Sequence, residues 1–201
     1  MRKFISGLIL GAGASQRFGE PKQLLAFAGT TLLAWVVAQA QRADTLDETV
    51  VVLGRSAAEI RARVDFGNAR VVENPVFTEG CASSYRAGIA GINSRSDAIM
   101  IILGDQPGIT PEIINRLAHE WRESDAPIAI CSYEGRKGHP LIFARPLFDQ
   151  LETLHGDKAA WKLVDANASA VLEVPLALPF PEDINTREDF ERIVSAQRTA
   201  T

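Results

Sequence analysis

The chain has 201 residues, enough for one domain with a buried core, and 46% of them are hydrophobic against 23% charged. That balance excludes a disordered, collagen-like or coiled-coil chain, and a formal net charge of -4 argues against a nucleic-acid coat, which needs a basic face. Cys81 and Cys131 are too few for a disulfide framework or a cysteine metal site, and their apolar or small neighbours suit buried thiols in a reducing compartment.

Short apolar runs alternate with amphipathic stretches from the start of the chain. Residues 1–10 place Arg2 and Lys3 before an apolar run that passes straight into a glycine-rich loop, so residues 6–10 read as a first strand and not as a leader peptide. A helix is expected over 31–42, a strand over 49–53, a helix over 57–64, a strand over 70–73 and a helix over 82–92. A strand over 98–103, a helix over 111–123 and a strand over 127–131 follow, the helix opening on Thr110 as cap and Pro111 in its first turn. The β-branched content and brevity of the strands favour a buried parallel sheet. Strand and helix repeated in this way imply right-handed crossovers and a doubly wound, mostly parallel α/β sheet of the Rossmann-like kind.

Beyond Ser132 the pattern changes. Gly138-His139-Pro140 leads into an extra strand over 141–143, helices are expected over 146–154 and 158–167, a late strand over 170–174, and a final helix from Thr186. The back third reads as an elaboration of the same domain, with a polar tail after Gln197 that frays. No segment approaches the roughly 18 apolar residues of a membrane helix, so a cytoplasmic protein with neither membrane nor nucleic-acid partner is expected.

The most informative stretch follows the first strand: Gly11-Ala12-Gly13-Ala14-Ser15-Gln16-Arg17-Phe18-Gly19-Glu20-Pro21-Lys22. Glycines and small residues let backbone N–H groups approach a ligand's phosphates, and in a parallel sheet this loop lies at the carboxyl edge where ligands bind. A dinucleotide fingerprint would need a third glycine where Gln16 stands and an acid after the second strand, where the chain has Gly54-Arg55. The Gly-Lys-Ser/Thr of an ATPase phosphate loop does not occur. The loop offers two cations instead, Arg17 and Lys22, a fork and a point charge suited to a nucleoside triphosphate.

Asp105 ends the strand over 98–103, between Gly104 and Gln106-Pro107, and should project beside the first loop. A carboxylate there would repel a triphosphate unless a cation intervened, and Mg²⁺ is commonly held by one or two carboxylates plus phosphate oxygens and water. Asp183, in Asp183-Ile184-Asn185-Thr186, reads by itself as part of a turn and helix cap. Ser83 and Ser84 could serve as a helix cap or bond a base edge.

These motifs, taken in order, resemble those of MobA-like nucleotidyltransferases, and within that family the molybdenum cofactor cytidylyltransferase branch. The resemblance runs through Leu10-Gly11-Ala12-Gly13, Ser15, Arg17-Phe18-Gly19 and Pro21-Lys22, then Val52-Leu53-Gly54, Asn74-Pro75, Glu79-Gly80, Ser83-Ser84 and Gly88. It continues through Gly104-Asp105-Gln106-Pro107, Gly138-His139-Pro140, Gly156-Asp157 and Asp183-Ile184-Asn185-Thr186. It implies the fold of nucleotide-diphospho-sugar transferases in a single domain over 1–201, with a nucleotide-binding part over about 1–132 and an acceptor side over about 133–198. The activity implied is Mg²⁺-dependent transfer of CMP from CTP to a molybdopterin-type acceptor, with a molybdoenzyme or its maturation factor as a partner.

The same resemblance makes Lys22, Arg17 and Asp105 catalytic, and gives the nucleotide Leu10, Gly11, Ala12, Gly13, Arg17, Lys22, Ser83 and Ser84. It puts Gln106, Gly138 and His139 on the acceptor side, and Asp105 with Asp183 on the metal. Ala12 favours a cytidine nucleotide over a guanine one, since its methyl crowds a large purine, whereas Gly11 stands where alanine is more usual. Arg136 and Lys137 add charge suited to an anionic acceptor. Trp161 departs from the family pattern, which tends to arginine there. Other readings of the same residues are a guanylyl- or other nucleotidyltransferase with a different phosphorylated acceptor, a nicotinamide-dependent oxidoreductase, and a non-catalytic nucleotide-binding maturation chaperone.

Overall fold

A computed structural model describes residues 2–13, 18–156 and 159–199. In chain order the elements are β1 (Ile5–Gly11), β2 (Ala26–Phe27), β3 (Thr30–Thr31), α1 (Leu32–Gln41), β4 (Glu48–Leu53), α2 (Ala57–Arg63), β5 (Arg70–Glu73) and α3 (Cys81–Gly91). They continue with β6 (Ala98–Leu103), α4 (Pro111–Arg122), β7 (Ile128–Tyr133), β8 (Arg136–Ala144), α5 (Phe148–Thr153), α6 (Ala159–Ala166), β9 (Val171–Leu176) and α7 (Arg187–Thr199). Seven strands form one sheet in the order β5-β4-β1-β6-β8-β7-β9. β5, β4, β1 and β6 run parallel, β8 runs antiparallel to both its neighbours, and β9 pairs parallel to β7.

Burial on both faces explains the uninterrupted apolar strands. Ile9, Val51, Met100 and Ile102 turn to one face, where they meet Leu33 and Val37 of α1 and Ile114 and Leu117 of α4. Leu8, Val50, Val52, Ile99 and Ile101 turn to the other, against Tyr85 of α3, Leu151 of α5 and Leu163 of α6. A Cβ at Gly88 would lie 2.4 Å from Leu8 Cδ1, so the missing side chain is what lets α3 lie flat on β1.

A third, smaller cluster sits off the sheet. Leu25, Phe27 and Leu32 around the β2–β3 hairpin enclose Ile184, with Phe190, Ile193 and Val194 of α7 packed against them. The hairpin turns through Ala28 and Gly29, both at positive φ (48° and 82°), as a two-residue turn matched to strand twist requires. α7 is capped reciprocally: the Asp189 N–H donates to Thr186 Oγ1 (3.1 Å) and the Thr186 N–H to Asp189 Oδ2 (2.8 Å).

The expected parallel strands and main helices are present. The back third differs in one respect that matters for the site: residues 138–140, expected as a loop, lie inside β8. The β7–β8 register jumps between Ile130↔Leu141 and Cys131↔Gly138, leaving His139 and Pro140 as a buried bulge. Proline has no N–H for the ladder, and a bulge is where a sheet interior tolerates it. The β2–β3 hairpin was not expected either, being too short to show any periodicity.

Candidate functional site

The carboxyl ends of β1, β4 and β6 open into a cleft of about 650 Å³. Leu10, Gly11, Ala12 and Gly13 form its floor, Lys22, Gly104 and Asp105 one end, and Arg55, Phe77, Thr78, Gly80, Cys81 and Ser84 the other. Two glycines let the strand tips converge. A Cβ at Gly104 would sit 2.9 Å from Leu10 O, and one at Gly54 would sit 2.7 Å from both Ala12 O and Phe77 Cβ. Gln23, 3% exposed, donates from Nε2 to Gly11 O (2.7 Å) and Gly13 O (3.2 Å) and so braces the glycine loop from behind. Sequence reasoning missed Gln23, although it adjoins the singled-out Lys22. Arg17 lies outside the described residues, as does Asp157.

Asp105 stands beside the first loop as its position at the strand end implies. Its carboxylate accepts a charged hydrogen bond from Lys22 Nζ, which also donates to Ile184 O at 3.1 Å. Asp183 comes back to the same place from far along the chain. The Ile184 N–H donates to Asp105 O (2.9 Å), and Gln106 Nε2 donates to Asp183 Oδ1 (2.6 Å) and Pro181 O (3.3 Å). Burial, and then the neighbouring Asp105 charge, hold the Asp183 carboxyl above the ordinary aspartate range against the opposing pull of Gln106 and Lys22. Ile184 supplies the anchor: it is fully buried in the hairpin cluster, worth about 1.5–3 kcal/mol by burial alone.

Gln106, expected on the acceptor side, is 2% exposed and turned toward the 181–183 segment, and among the described residues its buried Oε1 has no partner. Ser83 and Ser84 separate. Ser84 lines the cleft, while Ser83 is buried and donates to Gly80 O at 2.8 Å. Asn74 Nδ2 donates to both hydroxyls, at 2.8 and 3.2 Å, so neither caps α3, whose cap is Gly80.

His139 is buried, and desolvation pushes its pKa down to about 4 despite the opposing charge of Asp105. Trp161 meets it edge to face, 5.9 Å between centroids. Gly138 leaves room for Phe180, whose Cε2 would lie 2.7 Å from a Cβ there. Arg136 and Lys137 are already engaged, Arg136 stacked 3.5 Å from the Phe180 centroid and Lys137 paired with Glu173 at 2.6 Å. Cys131 is buried, its thiol pushed up to about 12 by desolvation, whereas Cys81 is only half-buried and lines the cleft.

A strand-edge glycine loop, a lysine and converging carboxylates are the parts of a site for phosphorylated nucleotides. The family model of the MobA-like NTP transferase domain matches residues 7–171. The chain belongs to that family. Among relatives of this MobA-like chain, the nicotine blue oxidoreductase of Paenarthrobacter nicotinovorans is 32% identical over 165 residues, covering 78% of this chain and 79% of that protein. A probable molybdenum cofactor guanylyltransferase of Bacillus cytotoxicus is 33% identical over 148 residues, covering 71% and 68%. Rv0371c from Mycobacterium tuberculosis H37Rv superposes with a TM-score of 0.88 at 35% identity, over 97% of this chain and 100% of that one. It has also been solved in complex with manganese, with a TM-score of 0.82 and 34% identity over 97% and 100%. Among the described residues no helix is long and apolar enough to cross a membrane.

Proposed function

We propose that this MobA-like chain transfers CMP from CTP to the phosphate of a molybdopterin-type acceptor, releasing pyrophosphate. The observation that carries the proposal is the Lys22–Asp105 pair at one end of a glycine-floored cleft, with the Asp183 carboxyl near enough to feel the charge of both. Residues 1–132 hold the nucleotide in this account, and 133–198 supply the acceptor side.

The donor set suits a divalent cation. Among the described residues no three histidine, cysteine or acidic side chains cluster, but Mg²⁺ takes only one or two carboxylates when phosphates complete its shell. Asp105 and Asp183 would hold it, and once bound it would offset charge on the phosphates. The relative solved with manganese supports a metal of this class.

The remaining work falls to the chain's own groups. Little covalent chemistry is asked of the protein when an acceptor phosphate oxygen attacks the α-phosphorus in line, so positioning and electrostatics set the rate. Lys22 exchanges Asp105 for the α-phosphate, and Arg17 takes the β/γ end. In this account backbone N–H groups of the glycine loop bind the phosphates, and Ser84 faces the base. Ala12, 7% exposed, presents its methyl where a purine would need most room, which favours CTP. The relative named as a guanylyltransferase supports GTP as the alternative nucleotide.

The relative named as an oxidoreductase supports a second reading, a redox enzyme on the same fold. Pyrophosphate release separates the two. With divalent metal, wild-type protein should release pyrophosphate from CTP faster than from GTP or ATP, and only with molybdopterin present. Absence of release from every nucleotide, together with tight reduced-nicotinamide binding, would replace the transferase reading with the redox one.

A further inference from the structure

Arg55 has no assigned task, yet it lies on the wall of the cleft. Three local features present it there. Gly54 packs flush against Ala12 O and the Phe77 Cβ, so the next residue emerges at the cleft rim. Ser56 follows in the left-handed region (φ 61°), a conformation rare outside glycine that turns the chain away at once into α2. The side chain is exposed, and among the described residues nothing hydrogen-bonds, pairs or stacks with it. Among the arginines whose side chains are described, every other one but Arg42 has a hydrogen-bonded, ion-paired or stacked partner within the fold, Arg95 and Arg136 sitting over rings. An arginine left without a partner on a cleft wall is a donor fork awaiting acceptors.

Its place along the sheet says which acceptors. Asp105 ends β6 and Arg55 follows β4, with β1 between them. Two strand spacings make about 10 Å, the reach of a nucleoside from its 5′-phosphorus to the far edge of its base. With phosphates at Lys22 and Asp105, a base crossing the tip of β1 arrives at Arg55, beside half-buried Phe77 and the hydroxyls of Thr78 and Ser84. Among the described residues no acidic side chain lines that end of the cleft: Asp105 is held by Lys22 at the other, and Glu79, between Thr78 and Gly80, pairs with Arg86.

We infer that Arg55 reads the base, its guanidinium donating two hydrogen bonds to an adjacent pair of acceptors. Cytosine offers O2 beside N3, and guanine O6 beside N7. Adenine sets an amino donor beside each ring nitrogen on that edge, and uracil sets an N–H between its carbonyls. Arg55 therefore selects cytosine and guanine nucleotides as a class, and the Ala12 methyl chooses between them. The inference rests on the nucleotidyltransferase reading and adds a specificity-determining residue to it.

The test is equilibrium binding of CTP, GTP, ATP, UTP and inorganic tripolyphosphate to the full chain and to Arg55→Ala and Arg55→Lys. As an exposed residue without partners, Arg55 should be replaceable without loss of fold, which thermal melting checks. Both variants should lose about tenfold or more in CTP and GTP affinity, one bidentate pair, with ATP, UTP and tripolyphosphate little changed. Equal losses for all five ligands would make Arg55 a phosphate contact and overturn the inference. So would CTP and GTP affinities that stay at the wild-type level in Arg55→Ala. If the wild-type chain binds none of the nucleotides, the nucleotidyltransferase reading itself falls, and this inference with it.

Discussion

Lys22 donates to the Ile184 carbonyl and to the Asp105 carboxylate, which belongs to the proposed cation site. It must leave them to reach a phosphate, so the same lysine neutralises the site when empty and the substrate when full. Lys22→Ala should stay folded but lose turnover by about 10²–10³, the usual cost of removing one preorganised charge from such a transition state. Asp105→Ala should do the same, and steady-state pyrophosphate release with thermal melting reads both. Near-normal turnover in either variant would remove that residue from the mechanism. Lys22→Ala makes a second test possible: with the ammonium gone and both carboxylates left, Mn²⁺ alone should raise its melting temperature more than it raises that of the wild type. Sequence reasoning reached Lys22 and Asp105 because each sits in a loop set by the end of a buried strand. It could only surmise Asp183, whose return to Asp105 depends on Ile184 being buried under the β2–β3 hairpin, a contact between segments some 150 residues apart in a chain of 201. It misplaced Gln106, since a glutamine beside a site aspartate looks the same in sequence whether it faces substrate or clamps another carboxylate.

At the level of elements, the cleft depends on how closely strand tips approach. A methyl at Gly54 would meet a backbone oxygen of residue 12 at 2.7 Å, which cannot swing aside as a side-chain end would. Gly54→Ala should therefore cost about 1–3 kcal/mol of stability, as overpacking does, and weaken CTP binding by displacing the glycine loop. Binding unchanged in a destabilised variant would separate the loop from the site. The β7–β8 bulge has its own signature. Because the folded-state pKa of His139 is about 4, below the ordinary imidazole value, the unfolded chain binds more protons between pH 6.5 and 4. Its contribution is present in full above pH 6.5 and is lost as pH falls toward 4. Asp183, with its raised pKa, works in the opposite sense, so the comparison has to be with a variant. Relative to His139→Gln, the wild type should lose up to about 3 kcal/mol on acidification from pH 7 to pH 4, read from denaturant midpoints. Parallel pH profiles would show that the imidazole is already solvated. Periodicity made the parallel strands legible to within a few residues, but it could not place 138–140 in a strand: glycine, histidine and proline in sequence read as a loop, and only the pairing of residues 136–138 with β7 extends β8 through them.

Across the whole molecule, one sheet carries two kinds of work. The parallel half, β5-β4-β1-β6, offers its carboxyl edge to the nucleotide, while β8, β7 and β9 extend the sheet beyond Asp105. The 180–184 segment crosses back and fastens the second half to the first through Gln106, Asp105 and Lys22. In the proposed reaction the nucleotide and the acceptor would lie on either side of one carboxylate pair, as an in-line transfer requires. The alternation of strands and helices foretold the first half, whereas the antiparallel insertion of β8 had no signal in local pattern because crossover direction is decided by tertiary pairing. The central claim is that the α-phosphorus is the atom attacked. Its most direct test follows radiolabel from α-³²P-CTP and γ-³²P-CTP in the presence of divalent metal and molybdopterin. The account predicts that α-label passes to the acceptor and γ-label leaves in pyrophosphate, with both transfers abolished in Asp105→Ala. Label passing to the acceptor from the γ position, or from neither, would contradict it.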